Sequence, residues 1–266
     1  MATRLADASV STIGCGIMGG LLIERLLDAG AMQARQITAC DPDEARLSDV
    51  GERLGVTVST NNKDGAAADV VLIAVPPPVV LPVIEEISGA LSAGQLVVSL
   101  APGITLARLR QAAGAARVAR LMPNTPSLVG AGMNAYCLAD DVTADQAGLL
   151  REMLDVWGDS VEVPEGAMNA ACALTAVGPT YLLPVLGTLV AAATDAGMAP
   201  EVARRIAAGL FAGVGQLVAR SAATPEQLKQ MISMQPLDDA AAAAVFSEAY
   251  QKALAGLQGL ESKLMG

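Results

Sequence analysis

Three glycines near the amino terminus are spaced for binding a phosphate group. Gly14, Gly16 and Gly19 form a G-x-G-x-x-G pattern within STIGCGIMGGLLIERLLDAG, residues 11–30. In this pattern the first glycine permits a tight turn, the second lets the backbone approach a pyrophosphate, and the third allows close packing of a helix on a strand. The N–H groups at the start of that helix favour phosphates. A glycine turn without a ligand is the alternative, but the strand before the loop and the helix after it favour a dinucleotide.

An acidic residue follows where the ribose of a dinucleotide would lie. Asp41 ends the second predicted strand, and a carboxylate there accepts hydrogen bonds from the adenosine ribose and repels a 2′-phosphate. The cofactor is therefore predicted to be NAD(H) or NADP(H), with NAD(H) slightly favoured, while Arg35 and Arg46 keep NADP(H) open. The segments Ala74–Pro77 and Leu100–Gly103 follow later strands, where open α/β sheets hold the nicotinamide half. Their prolines could equally stiffen ordinary loops.

The absence of histidine limits the reactions that such a cofactor could serve here. Carbonyl reduction generally needs a proton donor for the developing alkoxide, commonly His or Lys. No lysine lies in the predicted helix over residues 178–196, which argues against a β-hydroxyacid dehydrogenase. An iminium carries its proton before hydride arrives, so C=N reduction is favoured over C=O reduction. Tyr181 in that helix is a candidate proton donor, although such a tyrosine more often packs in a core with its hydroxyl bonded to backbone.

Composition disfavours several other classes of protein. A formal net charge of −10 argues against a nucleic-acid partner, because phosphate binding needs clustered Lys and Arg. No uninterrupted apolar run reaches the roughly 18–20 residues of a spanning helix, and the best candidate, Tyr181–Ala193, contains Pro184 and Gly187. No membrane partner is therefore predicted. The first ten residues lack the order of a signal peptide. The cysteines form no CxxC pair and no metal site is predicted, so a cytoplasmic, reduced protein is expected; they are Cys15, Cys40, Cys137 and Cys172.

Short β-branched runs alternate with helical patterns through the first 160 residues. Strands this apolar, separated by helices, predict a parallel sheet covered on both faces, which is a Rossmann-type doubly wound α/β domain. The predicted strands are SVSTIGC, QITACD, VTVS, DVVLIAVP, QLVVSLAP and ARVARLMP, with NAYCLA and SVEVPE as further candidates. The predicted helices there are Met18–Asp28, DEARLSDVGERLG, a two-turn helix in PVVLPVIEEIS, and Ala144–Trp157.

From about Ala167 the strand patterns stop and helical patterns continue to the end. In the segment Thr224–Gln227, a threonine N-cap is followed by proline at the first helical position and glutamine three residues on. The change predicts a dinucleotide-binding domain over residues 1–163 and an all-α domain over residues 164–266. The apolar helix Leu182–Ala193 argues against a lone monomer. The predicted helices are Gly178–Ala196, Pro200–Ser221, Thr224–Met231 and Asp238–Lys263.

Five segments resemble the pyrroline-5-carboxylate reductase family. The most specific is Met122–Pro126 followed by Val129–Gly132. Members of that family reduce 1-pyrroline-5-carboxylate to proline with NAD(P)H, a step of proline biosynthesis. The resemblance implies a Rossmann domain and a helical substrate and dimerisation domain, interlocked as homodimers and often assembled into larger rings. The segments are IGCGIMGGLLIERLLDAG, TNNKDGAAADVVLIAVPP, VVSLAPGITLARL, RLMPNTPSLVGAGM and ALTAVGPTYLLP.

The resemblance also implies the residues of the site. A hydroxyl from the helical domain would fall at Thr175, which together with Tyr181 is predicted to be catalytic. The residues implied on the adenosine and pyrophosphate side are Gly14, Gly16, Ile17, Met18, Gly19 and Asn62. The residues implied on the nicotinamide side are Ala74, Val75, Pro76, Ala101, Gly103 and Asn124.

The segment at residues 231–240 departs from the family. There the family has a serine-proline-glycine-glycine-threonine-threonine-like loop that binds the substrate carboxylate, whereas this chain has MISMQPLDDA. Asp238 and Asp239 would repel an anionic substrate, by about 1 kcal/mol or more per close pair. A second interpretation is that these aspartates cap a helix. The family's serine-glycine run has also become Thr175–Pro179, and its lysine after Ala-Val is Pro76.

Three hypotheses follow. The first is NAD(P)H-dependent reduction of a cyclic imine, 1-pyrroline-5-carboxylate to L-proline. The second is a related reductase that acts on a different, non-anionic imine. The third is a non-catalytic NAD(P)-binding homologue that keeps the fold for regulation or assembly.

Overall fold

A computed structural model describes residues 4–265 of the chain. Its first part is built on short strands rich in Val, Ile and Leu, which suit a sheet that is covered on both faces. All of the predicted strands are present; the first six are shorter than predicted, and the last two begin two residues earlier and end before the predicted segments do. They are β1 (Val10–Ile13), β2 (Ile37–Cys40), β3 (Thr57–Ser59), β4 (Val70–Ile73), β5 (Leu96–Ser99), β6 (Arg117–Met122), β7 (Gly132–Leu138) and β8 (Gly158–Glu162).

The strands and the later part of the chain are connected by helices. The predicted helices are found, but α4 has 11 residues rather than two turns, because Pro82 lies inside it without ending it. Three helices, α3, α5 and α7, were not predicted. The helices are α1 (Ile17–Asp28), α2 (Glu44–Leu54), α3 (Asn62–Gly65), α4 (Pro77–Ile87), α5 (Leu106–Ala113), α6 (Ala144–Trp157), α7 (Met168–Thr175), α8 (Pro179–Asp195), α9 (Pro200–Arg220), α10 (Pro225–Lys229) and α11 (Asp239–Met265).

Local sequence sets where several helices begin and end. The Asp43 side chain accepts hydrogen bonds from the N–H groups of Ala45 and Arg46, which caps the start of α2. This helix ends at Gly55, whose φ of +68° is the left-handed conformation that glycine adopts without a steric cost. The predicted capping box at α10 is confirmed, since Thr224 and Gln227 each accept the other's backbone N–H.

The eight strands form one sheet in the order β3-β2-β1-β4-β5-β6-β7-β8. Strands β1 to β6 are parallel, and their order reverses between β1 and β4, which is where doubly wound folds bind dinucleotides. The predicted parallel sheet is confirmed with one exception, β7, which runs antiparallel to β6 with Arg120 opposite Cys137. The connection over residues 123–131 is too short for a parallel crossover, which needs on the order of a dozen residues. Strand β8 returns parallel to β7 after α6.

Apolar side chains fill both faces of the sheet. On one face, residues of β1, β4 and β5 pack with Leu22 and Leu26 of α1 and with Trp157 at the end of α6. On the other face, Ile84 of α4 and Leu109 of α5 cover the alternate strand positions. Trp157 is fully buried, and its Nε1–H donates to the Leu22 carbonyl at 3.0 Å. This contact joins α6 to the helix that follows the glycine loop.

The chain forms two compact units. One comprises the chain up to Val177 together with the chain from Ala253 onward, and the other comprises Gly178–Lys252. The long helix α11 therefore belongs to both units. The domain boundary expected near residue 163 stays a prediction. Within the unit Gly178–Lys252, α8 packs against α9.

Much of the helical region is apolar and exposed. Two stretches, Glu165–Asp195 and Pro200–Arg220, are long and apolar enough to cross a membrane by length and composition alone. The search of the sequence for uninterrupted apolar runs missed the first stretch, because Pro184 and Gly187 lie within α8 without ending it. Core helices pass the same test, but here only 6 % and 11 % of the apolar 18-residue segments in the two stretches are buried within this chain. The exposed large side chains include Leu182, Leu183, Leu189, Ile206, Leu210, Val214 and Leu217.

Replacing Trp157 tests the contact between α6 and α1. Trp157→Ala is expected to lower the free energy of unfolding by about 3–5 kcal/mol, because a large buried side chain is removed. Trp157→Phe keeps most of the volume and loses the Nε1–H donor, so it is expected to cost only about 1 kcal/mol. Urea unfolding followed by far-ultraviolet circular dichroism, at one protein concentration, measures both. Equal losses in the two variants would contradict the packing role.

Candidate functional site

The glycine loop brings α1 into close contact with the sheet. Gly14 has φ of +98°, and a Cβ at this position would lie 2.5 Å from the Ala74 carbonyl oxygen. A Cβ on Gly19 would lie 2.0 Å from the Gly14 carbonyl oxygen. Gly16, in contrast, has open space at its Cβ position and precedes α1 without any side-chain cap. The N–H groups at the start of α1 are therefore available to a phosphate.

A cavity of about 700 Å³ lies at the carboxyl ends of the central strands. Its wall is largely apolar, with Asp41, Arg46, Thr60 and Asn62 as its polar and charged side chains. Residues that follow β1, β4 and β5 all reach it, as expected for a site at the point where the strand order reverses. The lining residues are Ile13, Gly14, Gly16, Met18, Asp41, Pro42, Arg46, Thr60, Asn62, Ala74, Val75, Pro76, Pro77, Val79, Val83, Leu100, Ala101 and Pro102.

Asp41 is buried, with 3 % of its surface exposed, and its carboxylate is engaged within the protein. Oδ2 accepts hydrogen bonds from the Cys15 N–H at 2.7 Å and from Arg46 Nη1 at 3.0 Å. Oδ1 accepts from the Asp43 N–H at 3.0 Å and from Arg46 Nη1 at 3.2 Å. Burial alone would raise the pKa of Asp41, but the two backbone N–H groups and the guanidinium together lower it. The carboxylate therefore stays charged and fastens the glycine loop to the end of β2.

Arg46 presents a positive charge to the cavity. Its side chain is 45 % exposed, and Nη2 lies 3.5 Å from Asp43 Oδ2. The hydrogen bond to Asp41 and the charge of that carboxylate raise the pKa of Arg46. Near it in the wall are the hydroxyl of Thr60 and the amide of Asn62, whose Nδ2 donates to Glu86 at 2.9 Å.

The cysteines of this region are not nucleophiles. Burial is the main cause that raises the pKa of Cys15 to about 12 and that of Cys40 to about 11. Both thiols therefore stay protonated at neutral pH, and a thiolate is the reactive form. Among residues 4–265, no group of three or more His, Cys, Asp or Glu side chains is placed to hold a metal ion.

Comparison with known proteins identifies related chains. The family described as NADP oxidoreductase coenzyme F420-dependent matches residues 9–103, and pyrroline-5-carboxylate reductase dimerisation matches residues 165–257. The pyrroline-5-carboxylate reductase of Corynebacterium melassecola is 33 % identical over 230 residues, which are 85 % of each chain. The chain belongs to the pyrroline-5-carboxylate reductase family. The enzyme of that name from Escherichia coli is 28 % identical over 228 residues, again 85 % of each chain.

Solved structures named as pyrroline-5-carboxylate reductases share the fold. The structure from Coxiella burnetii is 27 % identical with a TM-score of 0.78, and the match covers 97 % of this chain and 98 % of that one. A Plasmodium falciparum pyrroline carboxylate reductase, solved with NADP bound, is 21 % identical with a TM-score of 0.82, covering 96 % and 98 %. At that identity the second comparison shows the fold alone. The Rossmann-type sheet followed by a helical region is confirmed.

The cavity brings together nine of the residues predicted to bind the cofactor. Four others lie elsewhere. Gly19 packs against the Gly14 backbone, and Gly103 packs against Leu260 and Leu264 near the end of α11. Ile17 is 79 % exposed beside a smaller cavity at the start of α1. Asn124 is buried away from the lining. The nine lining residues are Gly14, Gly16, Met18, Asp41, Asn62, Ala74, Val75, Pro76 and Ala101.

Several lining residues were not predicted, and only some of their positions carried a signal in the sequence. Thr60 follows β3 and Pro42 follows β2, so the rule that ligands bind beyond the carboxyl ends of strands would have found both. Val79 and Val83 lie on α4. Both are apolar residues in a helical pattern, which is typical of core positions. Only the packing of α4 shows that they face the cavity.

The two predicted catalytic hydroxyls lie in different compact units. Thr175 is the last residue of α7, and its Oγ1–H donates to the Ala171 carbonyl at 2.8 Å. Tyr181 is in the first turn of α8, within the unit Gly178–Lys252. Both residues stay predictions as catalytic groups.

The two aspartates of the divergent segment are engaged with the chain itself. The Asp238 carboxylate accepts hydrogen bonds from the N–H groups of Ala240 at 2.9 Å and Ala241 at 3.1 Å. This is a cap of α11, as the second interpretation expects. Asp239 forms an ion pair with Lys229. The first N–H groups of α11 are therefore occupied by the protein's own carboxylate.

Substitution of neighbouring glycines tests the cofactor loop. Gly19→Ala is expected to weaken binding of NADPH and NADH by at least about tenfold, because a methyl group 2.0 Å from the Gly14 carbonyl forces α1 away from the loop. Gly20→Ala is the matched control, since its Cβ would meet nothing nearer than Cys15 O at 3.4 Å. Isothermal calorimetry measures both affinities. Unchanged affinity in Gly19→Ala would show that the close approach is not needed for binding.

Proposed function

We propose that this chain is an NAD(P)H-dependent oxidoreductase that reduces the C=N bond of a cyclic imine, converting 1-pyrroline-5-carboxylate to L-proline. The observation that carries the proposal is the cavity that begins at the uncapped start of α1 and continues along the segments after β4 and β5. The names of the curated relatives support this substrate for a family member. Their alignment covers both the sheet and the helical region.

The residues of the cavity fit a pyridine dinucleotide. The α1 N–H groups and the open side of Gly16 suit a pyrophosphate, and the apolar wall around Ala74, Val75 and Ala101 suits a nicotinamide ring. A reduced nicotinamide, when bound, supplies the hydride. The slight preference for NAD(H) predicted from Asp41 stays a prediction. Because Asp41 is neutralised by Arg46, its charge gives little reason to reject a 2′-phosphate, and we propose that both nucleotides are accepted.

The imine needs only a modest contribution from the protein. A protonated imine brings its own proton, so the lack of histidine is no obstacle. The Thr175 hydroxyl donates its hydrogen bond to the Ala171 carbonyl, which can only accept. The lone pairs of the Thr175 oxygen can therefore accept a hydrogen bond from an N–H⁺ group. We propose that Thr175 binds the imine nitrogen in this way. Tyr181 is retained as a candidate second hydroxyl.

The exposed apolar helices favour assembly. We propose a homodimer or larger homo-oligomer in which a second copy covers α8 and α9, in agreement with the dimerisation family matched by residues 165–257. A patch this large would be unusual on a monomer. The four free cysteines are buried and carry no disulfide, which suits the reducing cytoplasm that we propose as its location.

A second candidate function is reduction of a neutral imine. Asp238 occupies the α11 N–H groups in the segment that the family resemblance assigns to the substrate carboxylate, and this observation favours a substrate without one. The test compares 1-pyrroline-5-carboxylate with 1-pyrroline, which lacks the carboxylate, following loss of NADPH and NADH absorbance. Faster turnover of the carboxylate substrate is the expected result. Preference for 1-pyrroline would favour the second candidate, and nucleotide binding without turnover of either imine would mean a non-catalytic homologue.

Arg46 is expected to discriminate between the nucleotides. Arg46→Gln should lower kcat/KM with NADPH by about tenfold or more and with NADH much less, because an exposed guanidinium that contacts a phosphate contributes a charge-assisted hydrogen bond. Arg53→Gln is the control, since Arg53 pairs with Glu24 and lies beside the smaller cavity only. Steady-state kinetics with both nucleotides measures the ratio. Equal losses with both would mean that Arg46 acts only by holding Asp41.

A further inference from the structure

The side chain of Asn124 connects the end of α7 to the sheet. Asn124 follows β6, and its Nδ2–H donates to the Thr175 carbonyl at 3.3 Å. We infer that Asn124 is a positioning residue, which places the Thr175 hydroxyl for the imine rather than contacting the cofactor. The role of Thr175 in this inference rests on the proposed function. The role of Asn124 rests on the contacts of its own side chain.

Every polar atom of the Asn124 amide has a partner in the protein. The side chain is 7 % exposed, and Oδ1 accepts from the Met133 N–H at 3.1 Å, at the start of β7. An N–H group needs an acceptor and a carbonyl needs a donor, so the two partners fix which way the amide points. Asn124 thereby joins the loop after β6 to β7 on one side and to α7 on the other. It does not line the large cavity.

The same buried network also holds this loop through Ser127, whose Oγ lies 3.4 Å from Asn124 Oδ1. Ser127, which is fully buried, donates its hydroxyl hydrogen to Asn134 Oδ1 at 2.8 Å. Asn134 in turn donates through Nδ2 to the Asp159 carbonyl at 3.1 Å. The loop after β6 is therefore fixed to β7 and β8 independently of α7. It provides a rigid support from which Asn124 reaches the end of that helix.

The contact reaches a group that the helix cannot satisfy itself. The last four carbonyls of a helix have no partner further along it, and Thr175 is the final residue of α7. The Thr175 hydroxyl is fixed to the same turn by its bond to the Ala171 carbonyl. A chain of contacts therefore runs from the sheet through Asn124 to the Thr175 backbone and then to its oxygen. A shift of that turn would displace the acceptor that we assign to the imine.

The test compares two buried asparagines of the same network. Asn124→Asp keeps an oxygen that accepts the Met133 N–H. It replaces the N–H₂ group that donates to the Thr175 carbonyl with a second oxygen, which faces that carbonyl. We expect kcat for imine reduction to fall on the order of 100-fold, because small misplacements of a reacting contact carry losses of that size, with Kd for NADPH little changed. Asn134→Asp makes the same chemical change without touching α7, and we expect its kcat to stay near that of the native chain.

Hydrogen exchange gives a readout that does not depend on turnover. The N–H groups of Ala176 and Val177 both bond to the Cys172 carbonyl, and we expect them to exchange faster in Asn124→Asp but not in Asn134→Asp. Unchanged exchange in Asn124→Asp would overturn the inference, whether or not the native chain reduces an imine. A native chain that reduces no imine would separately defeat the proposed function. A rise in Kd for NADPH that matches the kinetic loss would instead make Asn124 a cofactor contact. Equal kinetic losses in the two variants would leave it a purely structural residue.

Discussion

The buried carboxylate of Asp41 is the contact on which the cofactor loop depends. It joins the Cys15 N–H inside the glycine loop to the Asp43 N–H and the Arg46 guanidinium beyond β2. Removing one partner of a buried charge costs about 3–5 kcal/mol in general, because the other charge is left without compensation. With the loop fixed at this point, Gly14 can turn back under Ala74 and α1 can start close to β1. The start of α1 carries no side-chain cap, while the Asp41 carboxylate is committed to the base of the loop.

A parallel set of polar contacts fixes α7. In the turn just before it, Glu165 pairs with Arg120 and accepts the Leu106 N–H at 2.5 Å, which joins the approach to α7 to β6 and to α5. Arg120 is almost fully buried, with 2 % of its surface exposed, so this pair has few alternatives once the core is formed. At the end of the helix, Asn124 holds the Thr175 carbonyl. Contacts with side chains from or near β6 therefore hold the short helix on both sides. They fix the position of the Thr175 hydroxyl relative to the sheet.

Local patterns in the sequence were sufficient for much of the fold. The glycine spacing, the capping box at Thr224 and the apolar runs of the parallel strands depend on nearby residues, and the structure agrees with each. The direction of β7 was not evident, because it depends on how few residues separate it from β6. Helix α7 was missed because its eight residues give too short a periodic pattern. The placement of the cavity followed from strand ends, whereas Val83 could be found only from the packing of α4.

The structural roles of Asp41 and Asn124 were hidden for a related reason. A sequence pattern identifies residues that could contact a ligand, but it does not count the protein groups that compete for the same side chain. Asp41 accepts four hydrogen bonds within the protein, and Asn124 uses both ends of its amide. Most buried polar groups in proteins form hydrogen bonds, and in this fold the protein's own groups occupy these two side chains.

The absence of histidine from this chain is compatible with reduction of an imine. Reduction of a protonated imine requires a hydride donor in place and an acceptor for one N–H⁺ group, but no side chain that gives up a proton. The proposed function assigns the first requirement to the backbone geometry at Gly14, Gly16 and Gly19, and the second to the Thr175 hydroxyl, which already donates a hydrogen bond to the Ala171 carbonyl. Neither depends on the segment over residues 231–240. Under the proposed function, the helix cap by Asp238 and the ion pair between Lys229 and Asp239 in that segment leave the reacting bond unaffected.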